Sequence, residues 1–163
     1  MDLEKAMKKF VEFPELPVKF PTKVEDFKSI EDAKILFRLA NTQFKRSLEY
    51  FVLDGYVTEN VNMKQDVSKL YKILSSLESD KDRFIAMQER RKELLEPITK
   101  EINPKAFEVQ YIELGVELAD IYSAMFDVQY EHFNRIGKAP KKSEATLMNS
   151  HGLKSIEWSK EIC

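Results

Sequence analysis

Apolar residues recur at every third or fourth position over stretches far too long for β-strands. The clearest case is Phe107, Tyr111, Leu114, Leu118, Tyr122, Met125, Gln129, Phe133 and Ile136. That rhythm puts one stripe of side chains along a single helical face, and a strand would need alternation instead. A sandwich or barrel also needs turn signals every few residues, and this chain holds only 4 glycines in 163 residues. The pattern predicts an all-α chain of antiparallel helical hairpins.

Caps and stops divide the chain. Residues 2–13 read as a short helix, with Leu3, Met7 and Phe10 on one face. Pro14, Pro17 and Pro21 then mark an extended linker, because proline blocks helix and biases its predecessor toward extended backbone. Leu16, Val18 and Phe20 in that linker are expected to lie against a neighbouring helix. A second helix is predicted from about Ser29 to Asp54. Ser29 and Asp32 form a capping box, and Gly55 provides the stop. Its stripe is Ile30, Ala33, Phe37, Ala40, Phe44, Leu48 and Phe51.

A third helix is expected over 59–78 behind Thr58, with Met63, Val67, Leu70, Leu74 and Leu77 inward. A fourth is expected over 81–96, capped by Ser79-Asp80 and disrupted at its end by Pro97, with a short helical turn continuing through Ile102. Phe84, Met87, Arg91 and Leu94 or Leu95 lie toward one side of it. Asn103-Pro104 predicts the start of a fifth helix, closed by Gly137. A last helix over 144–162 contains Leu147, Leu153, Ile156, Trp158 and Ile162, weakened early by His151-Gly152. The chain thus divides into 1–29, a short helix and linker, and 30–163, a helical segment. The ends, without polar capping units, suggest part of a longer array.

Tyr111-x2-Leu114-Gly115-x2-Leu118 fits the first-helix pattern of a tetratricopeptide repeat, where glycine admits a close partner helix. Phe37-x2-Ala40-Asn41-x2-Phe44 is a looser match. No second-helix motif follows at the usual offset. The expectation is a tetratricopeptide-like α-solenoid segment without regular repeats.

Several function classes lose support. With 26 basic and 28 acidic residues the net charge is -2, which creates no general field for nucleic acid or anionic membrane. No apolar run is long enough to span a bilayer. The N-terminus lacks a signal-peptide core. The sole cysteine, Cys163, forms neither an internal disulfide nor a prenylation box. One cysteine fits a reducing cytosol.

No catalytic constellation emerges. Dispersed glycines cannot form a phosphate loop, and no serine occupies a nucleophile elbow. Asp127, Glu131 and His132 could be imagined as a metal site, but neither His132 nor His151 has glutamate three residues before it. The reading is a non-enzyme with no cofactor, no metal and no small-molecule substrate. Arg90-Arg91-Lys92 is interleaved with Glu89, Glu93 and Glu96, the mark of an ion-paired surface more than a nucleic-acid stripe. Arg83, Met87 and Arg90 share one helix edge, where long cations flank an adaptable apolar side chain; that combination suits a protein contact. The competing reading pairs these cations with acids of the adjacent helix. Lys138, Lys141 and Lys142 read as a solvated loop.

The stretch Glu49-Tyr50-Phe51-Val52-Leu53-Asp54-Gly55-Tyr56-Val57-Thr58 resembles the KIF-binding protein (kinesin-binding protein) family. The likeness continues through Gln65-Asp66, Arg83, Met87, Arg90-Arg91, Leu95-Glu96-Pro97 and Asn103-Pro104. A fainter echo runs over Glu117, Ala119, Tyr122, Met125, Asp127 and Lys154-Ser155. Residues 128–150 match poorly, and family members are longer. The resemblance implies a right-handed α-solenoid that grips kinesin motor domains and keeps them off the microtubule. It also implies a cytoplasmic, cytoskeleton-associated protein acting in microtubule-based transport. Tyr50, Phe51, Leu53, Tyr56 and Val57 are expected chiefly to lock a helix–turn–helix corner, with a lesser contact role for Tyr56. Tyr56, Arg83, Met87 and Arg90 are the residues expected to touch a partner. The alternative is a general tetratricopeptide-like protein-interaction scaffold or co-chaperone; gripping acidic peptide tails would need Lys, Asn and Arg to converge on a groove, and no periodic set of that kind is visible in the sequence.

Overall fold

The computed structural model describes residues 29–162, so the predicted helix over 2–13 and the proline-rich linker lie outside the described residues. Five helices follow: α1 Ile30–Tyr50, α2 Val57–Ser76, α3 Lys81–Glu101, α4 Glu108–Ile136 and α5 Lys142–Glu161. No strand occurs among the described residues.

The start signals act as their chemistry dictates. Ser29 Oγ accepts from the Asp32 amide at 3.2 Å, while the Ser29 amide donates to Asp32 Oδ2 at 3.0 Å. Asp80 Oδ1 accepts from the Arg83 amide at 2.8 Å and opens α3. Gly137, at φ 62, closes α4 in the left-handed region.

Four boundaries differ from expectation. α1 stops at Tyr50, before Asp54, because Phe51 leaves helical backbone at ψ 69. The corner then needs the positive φ of 103 at Gly55 to turn the chain into α2, whose cap is Tyr56, not Thr58. Pro97 does not disrupt α3: the expected turn toward Ile102 is continuous with the helix, which runs to Glu101. Proline removes one backbone bond there, yet Leu95, Ile98 and Ile102 are buried on the inward face and hold the last turn helical. Asn103-Pro104 opens a separate turn instead of α4: Asn103 O accepts from the amides of Ala106 (3.1 Å) and Phe107 (3.0 Å). α4 begins at Glu108. The His151-Gly152 pair leaves α5 unbroken.

Consecutive helices pack antiparallel. Phe37 meets Tyr71 with ring centroids 4.7 Å apart, Gln88 bonds Ser75, and Ser155 Oγ donates to the Ala119 carbonyl at 3.0 Å. In addition α2 touches α4. The result is an all-α hairpin solenoid segment. Its core joins Val61, Leu95, Ile98, Ile102, Leu114, Leu118, Ile121, Tyr122, Met125 and Trp158. Gly115 behaves as its motif requires: a Cβ there would clash with Ile162, and Trp158 lies 3.5 Å away.

The inward faces of α2 and α5 depart from the apolar stripes. Leu77, Leu147, Leu153 and Ile156 are exposed, as is Ile136 of α4. α5 instead presents His151, Ser155, Trp158 and Ile162 inward, at i, i+4, i+7 and i+11. α1 has no fully buried residue.

Candidate protein-interaction site

Two polar networks fix the helices that carry the surface. Arg91 is only 1% exposed. Its Nε donates to Ser68 Oγ (3.0 Å), one terminal nitrogen to Gln88 Oε1 (2.7 Å) and the other to Glu117 Oε1 (3.2 Å). Ser68 Oγ also donates to Glu117, and Gln88 Nε2 donates to Ser75 Oγ at 3.0 Å. One guanidinium therefore joins α2, α3 and α4. The planar five-donor fork suits this task, and a lysine would not satisfy the same acceptors.

The second network joins α3, α4 and α5. His151 Nδ1 lies 3.2 Å from Gln129 Oε1, and its Nε2 lies 3.9 Å from Glu89. Burial pushes the His151 pKa below its ordinary value, against the pull of the Glu89 carboxylate. The Tyr122 hydroxyl donates to Glu96 at 3.1 Å, and burial raises its pKa strongly. At the end of α5, Tyr111 donates to Glu161 at 2.5 Å, a bond that pushes the phenol up to about 12.

On the outside, α1 and α3 flank a groove of about 450 Å³ whose floor is α2. Asn41, Lys45 and Leu48 come from α1, Val67 and Tyr71 from α2, and Arg90, Glu93 and Leu94 from α3. Arg90 donates to Glu93 at 2.7 Å, which raises its pKa further. Met87 lies one turn earlier on α3 and is half-buried. Arg83 is exposed, 3.7 Å from Glu78. Arg83, Met87 and Arg90 thus lie along one edge of α3; Arg90 pairs with Glu93 of its own helix and Arg83 with Glu78 in the turn after α2, rather than with acids of an adjacent helix. The Arg90–Glu93 pair is exposed on both sides, so it is weak and yields readily to a partner's carboxylate.

Tyr56 stands apart. It caps α2 at the corner, while Arg83 lies near the opposite end of that 20-residue helix, about 30 Å away at 1.5 Å per residue. Its ring packs 5.6 Å from Tyr50 and 5.3 Å from Phe51, and its hydroxyl donates to Tyr50 at 3.5 Å, raising its pKa. The corner aromatics are less buried than a simple lock requires: Tyr50 is 65% exposed and Tyr56 37%. Leu53 and Val57 are the corner residues that reach the core, and Asn60 Nδ2 donates to the Phe51 carbonyl at 2.6 Å.

Sequence reasoning missed the convergence of Asn41, Lys45 and Arg90 on one groove. Asn41 and Lys45 share one face of α1 at i, i+4, but Arg90 lies on α3, so no periodicity within a helix could reveal that the two sets meet. Among the described residues no group of three His, Cys, Asp or Glu is placed to hold a metal, and Asp127 instead accepts from Ser123 at 3.4 Å. No helix among them is long and apolar enough to cross a membrane.

The family model described as "KIF-1 binding protein C terminal" matches residues 4–161. A KIF-binding protein of Xenopus tropicalis is 34% identical over 131 residues, 80% of this chain and 19% of the relative. That of Gallus gallus is 32% identical over 126 residues, covering 77% and 20%. The Homo sapiens protein is 34% identical over 106 residues, covering 65% and 17%. The chain spans about a fifth of the length of these relatives. No solved structure matches it. Five antiparallel helices, the aromatic corner and the match across residues 4–161 together place this chain in the KIF-binding protein family, in the region that forms its C-terminal part.

Proposed function

We propose that this chain is a non-enzymatic scaffold that binds kinesin motor domains and hinders their engagement with microtubules. The family match over residues 4–161 carries the reading, since its curated members bear the name KIF-binding protein. The surface chemistry supports it. The α1–α3 groove combines a floor of Val67 and Tyr71 with walls that carry Leu48 and Leu94 and the cations Lys45 and Arg90. Tyrosine and arginine are the residue types that most often dominate protein contacts. Arg83 and Met87 extend the same α3 edge. Tyr56, at the far end, would belong to a separate contact or serve the corner alone. Acting on motors, the protein would be cytoplasmic and cytoskeleton-associated, with steric occlusion in place of catalysis.

A pull-down of purified motor domains tests this, using the chain and a longer form that contains it. Specific retention by the longer form is expected, reduced at least tenfold by R90E. Failure of the longer form to retain any motor domain would end the proposal.

One observation favours a second reading. Asn41, Lys45 and Arg90 are the residue types that grip a carboxylate-rich peptide, and they share the groove. A titration with an acidic peptide separates the two: tight peptide binding that motor domains do not compete away supports the co-chaperone reading.

A further inference from the structure

A second groove, about 560 Å³, opens between α4 and α5. Phe126 of α4 lines it with Leu153 and Ile156 of α5. Leu153 is 68% exposed and Ile156 53%. Two exposed apolar side chains beside a half-buried aromatic ring make a contiguous patch, the kind of surface that marks a contact.

Gly152 keeps the groove open. A Cβ there would come within 3.1 Å of the Phe126 ring, so glycine lets α5 pass beside the ring and adds no side chain to the space. One turn along α4, Tyr130 stacks on Phe126 at 5.9 Å with the planes 10° apart, and it is itself 51% exposed.

The groove carries a single charge, Asp127. Its carboxylate accepts from Ser123 at 3.4 Å, a long bond, and it pairs with no lysine or arginine of the described residues. The α1–α3 groove has the opposite balance, with Lys45 and Arg90 against Glu93. A carboxylate next to exposed rings selects a cation with a flat face. Arginine meets that condition, because its guanidinium forks onto a carboxylate and stacks on an aromatic ring. Leu153 and Ile156, at i and i+3 on α5, offer an apolar ridge along which the apolar face of a helix can lie. We propose that the α4–α5 groove docks an amphipathic helix of a partner protein, with an arginine at the edge of its apolar face to meet Asp127. The site is separate from the α1–α3 groove and does not depend on the kinesin reading.

Fluorescence anisotropy on the full chain tests this with two labelled, alanine-rich helical peptides. Both carry leucines at i and i+4, and they differ only in an arginine or a glutamate on the following turn. The arginine peptide should bind saturably and at least tenfold more tightly than the glutamate peptide. L153D should weaken that binding at least tenfold, and D127K should reverse the preference. Asp127 and Leu153 are exposed, so both variants keep the fold, with helix content by circular dichroism as the control. Equal affinity for the two peptides, a preference that D127K leaves unchanged, or no saturable binding would overturn the proposal. Two further results would also overturn it. A dimer that L153D converts to monomer would put a second copy in the groove. Loss of peptide binding in a longer form containing this chain would put another helix of its own array there.

Discussion

At the scale of single residues, Arg91 matters most to the fold. It was legible in the sequence as an inward position on α3, but not as the joint of three helices, because its acceptors Ser68 and Glu117 lie on other elements. R91M should destabilise by about 3–5 kcal/mol, since it leaves Glu117 without its cation in a largely buried site. R91M/E117Q should cost less than the two single changes added together, as urea denaturation will show; strict additivity would contradict the network. His151 gives a pH prediction. Its folded pKa is depressed from 6.5, so the unfolded chain binds the proton more readily. The contribution of the neutral ring is complete above about pH 6.5 and fades as pH falls through the depressed folded value. The stability gap between wild type and H151Q should therefore narrow in urea melts as pH falls from 7.5 to 5. A constant gap would show that the ring does not titrate in that window.

Among the elements, α4 was the most legible and α5 the least. α4 carries a long, strict stripe, and Leu114, Leu118, Tyr122, Met125 and Gln129 are buried as that stripe requires. L118A should cost about 2–5 kcal/mol in a thermal or urea melt, because this side chain is fully buried and its removal leaves a cavity. In α5 the apolar residues mislead. Leu153 is 68% exposed, while His151 and Ser155 face inward to satisfy polar groups on α4. Hydrophobic spacing cannot register a face held partly by hydrogen bonds. L153S should thus change stability by no more than about 0.5 kcal/mol, as a surface substitution does. In α3, Pro97 is a local stop signal overridden by burial on the opposite face. Neither reversal can be read from single-helix rules.

On the scale of the whole molecule, each helix packs on its neighbours in sequence, with α2 reaching on to α4. Contacts of this range make the fold class readable from caps, stops and periodicity. They do not make the grooves readable, because a groove is formed by side chains from helices far apart in sequence. Tyr56 and Arg83 belong to one expected set of contact residues, and the length of α2 separates them. The sequence singles out Arg90, whereas Asn41 and Lys45, which line the same groove, carry no signal of it. Kinesin binding itself rests on the family, with the α1–α3 groove as its proposed seat. The most direct test is microtubule co-sedimentation of a purified kinesin motor domain, titrated with a longer form of the protein that includes this chain. The pelleted motor should fall saturably, and R90E should shift the titration to at least tenfold higher concentration. A motor that pellets equally at every concentration would contradict kinesin binding.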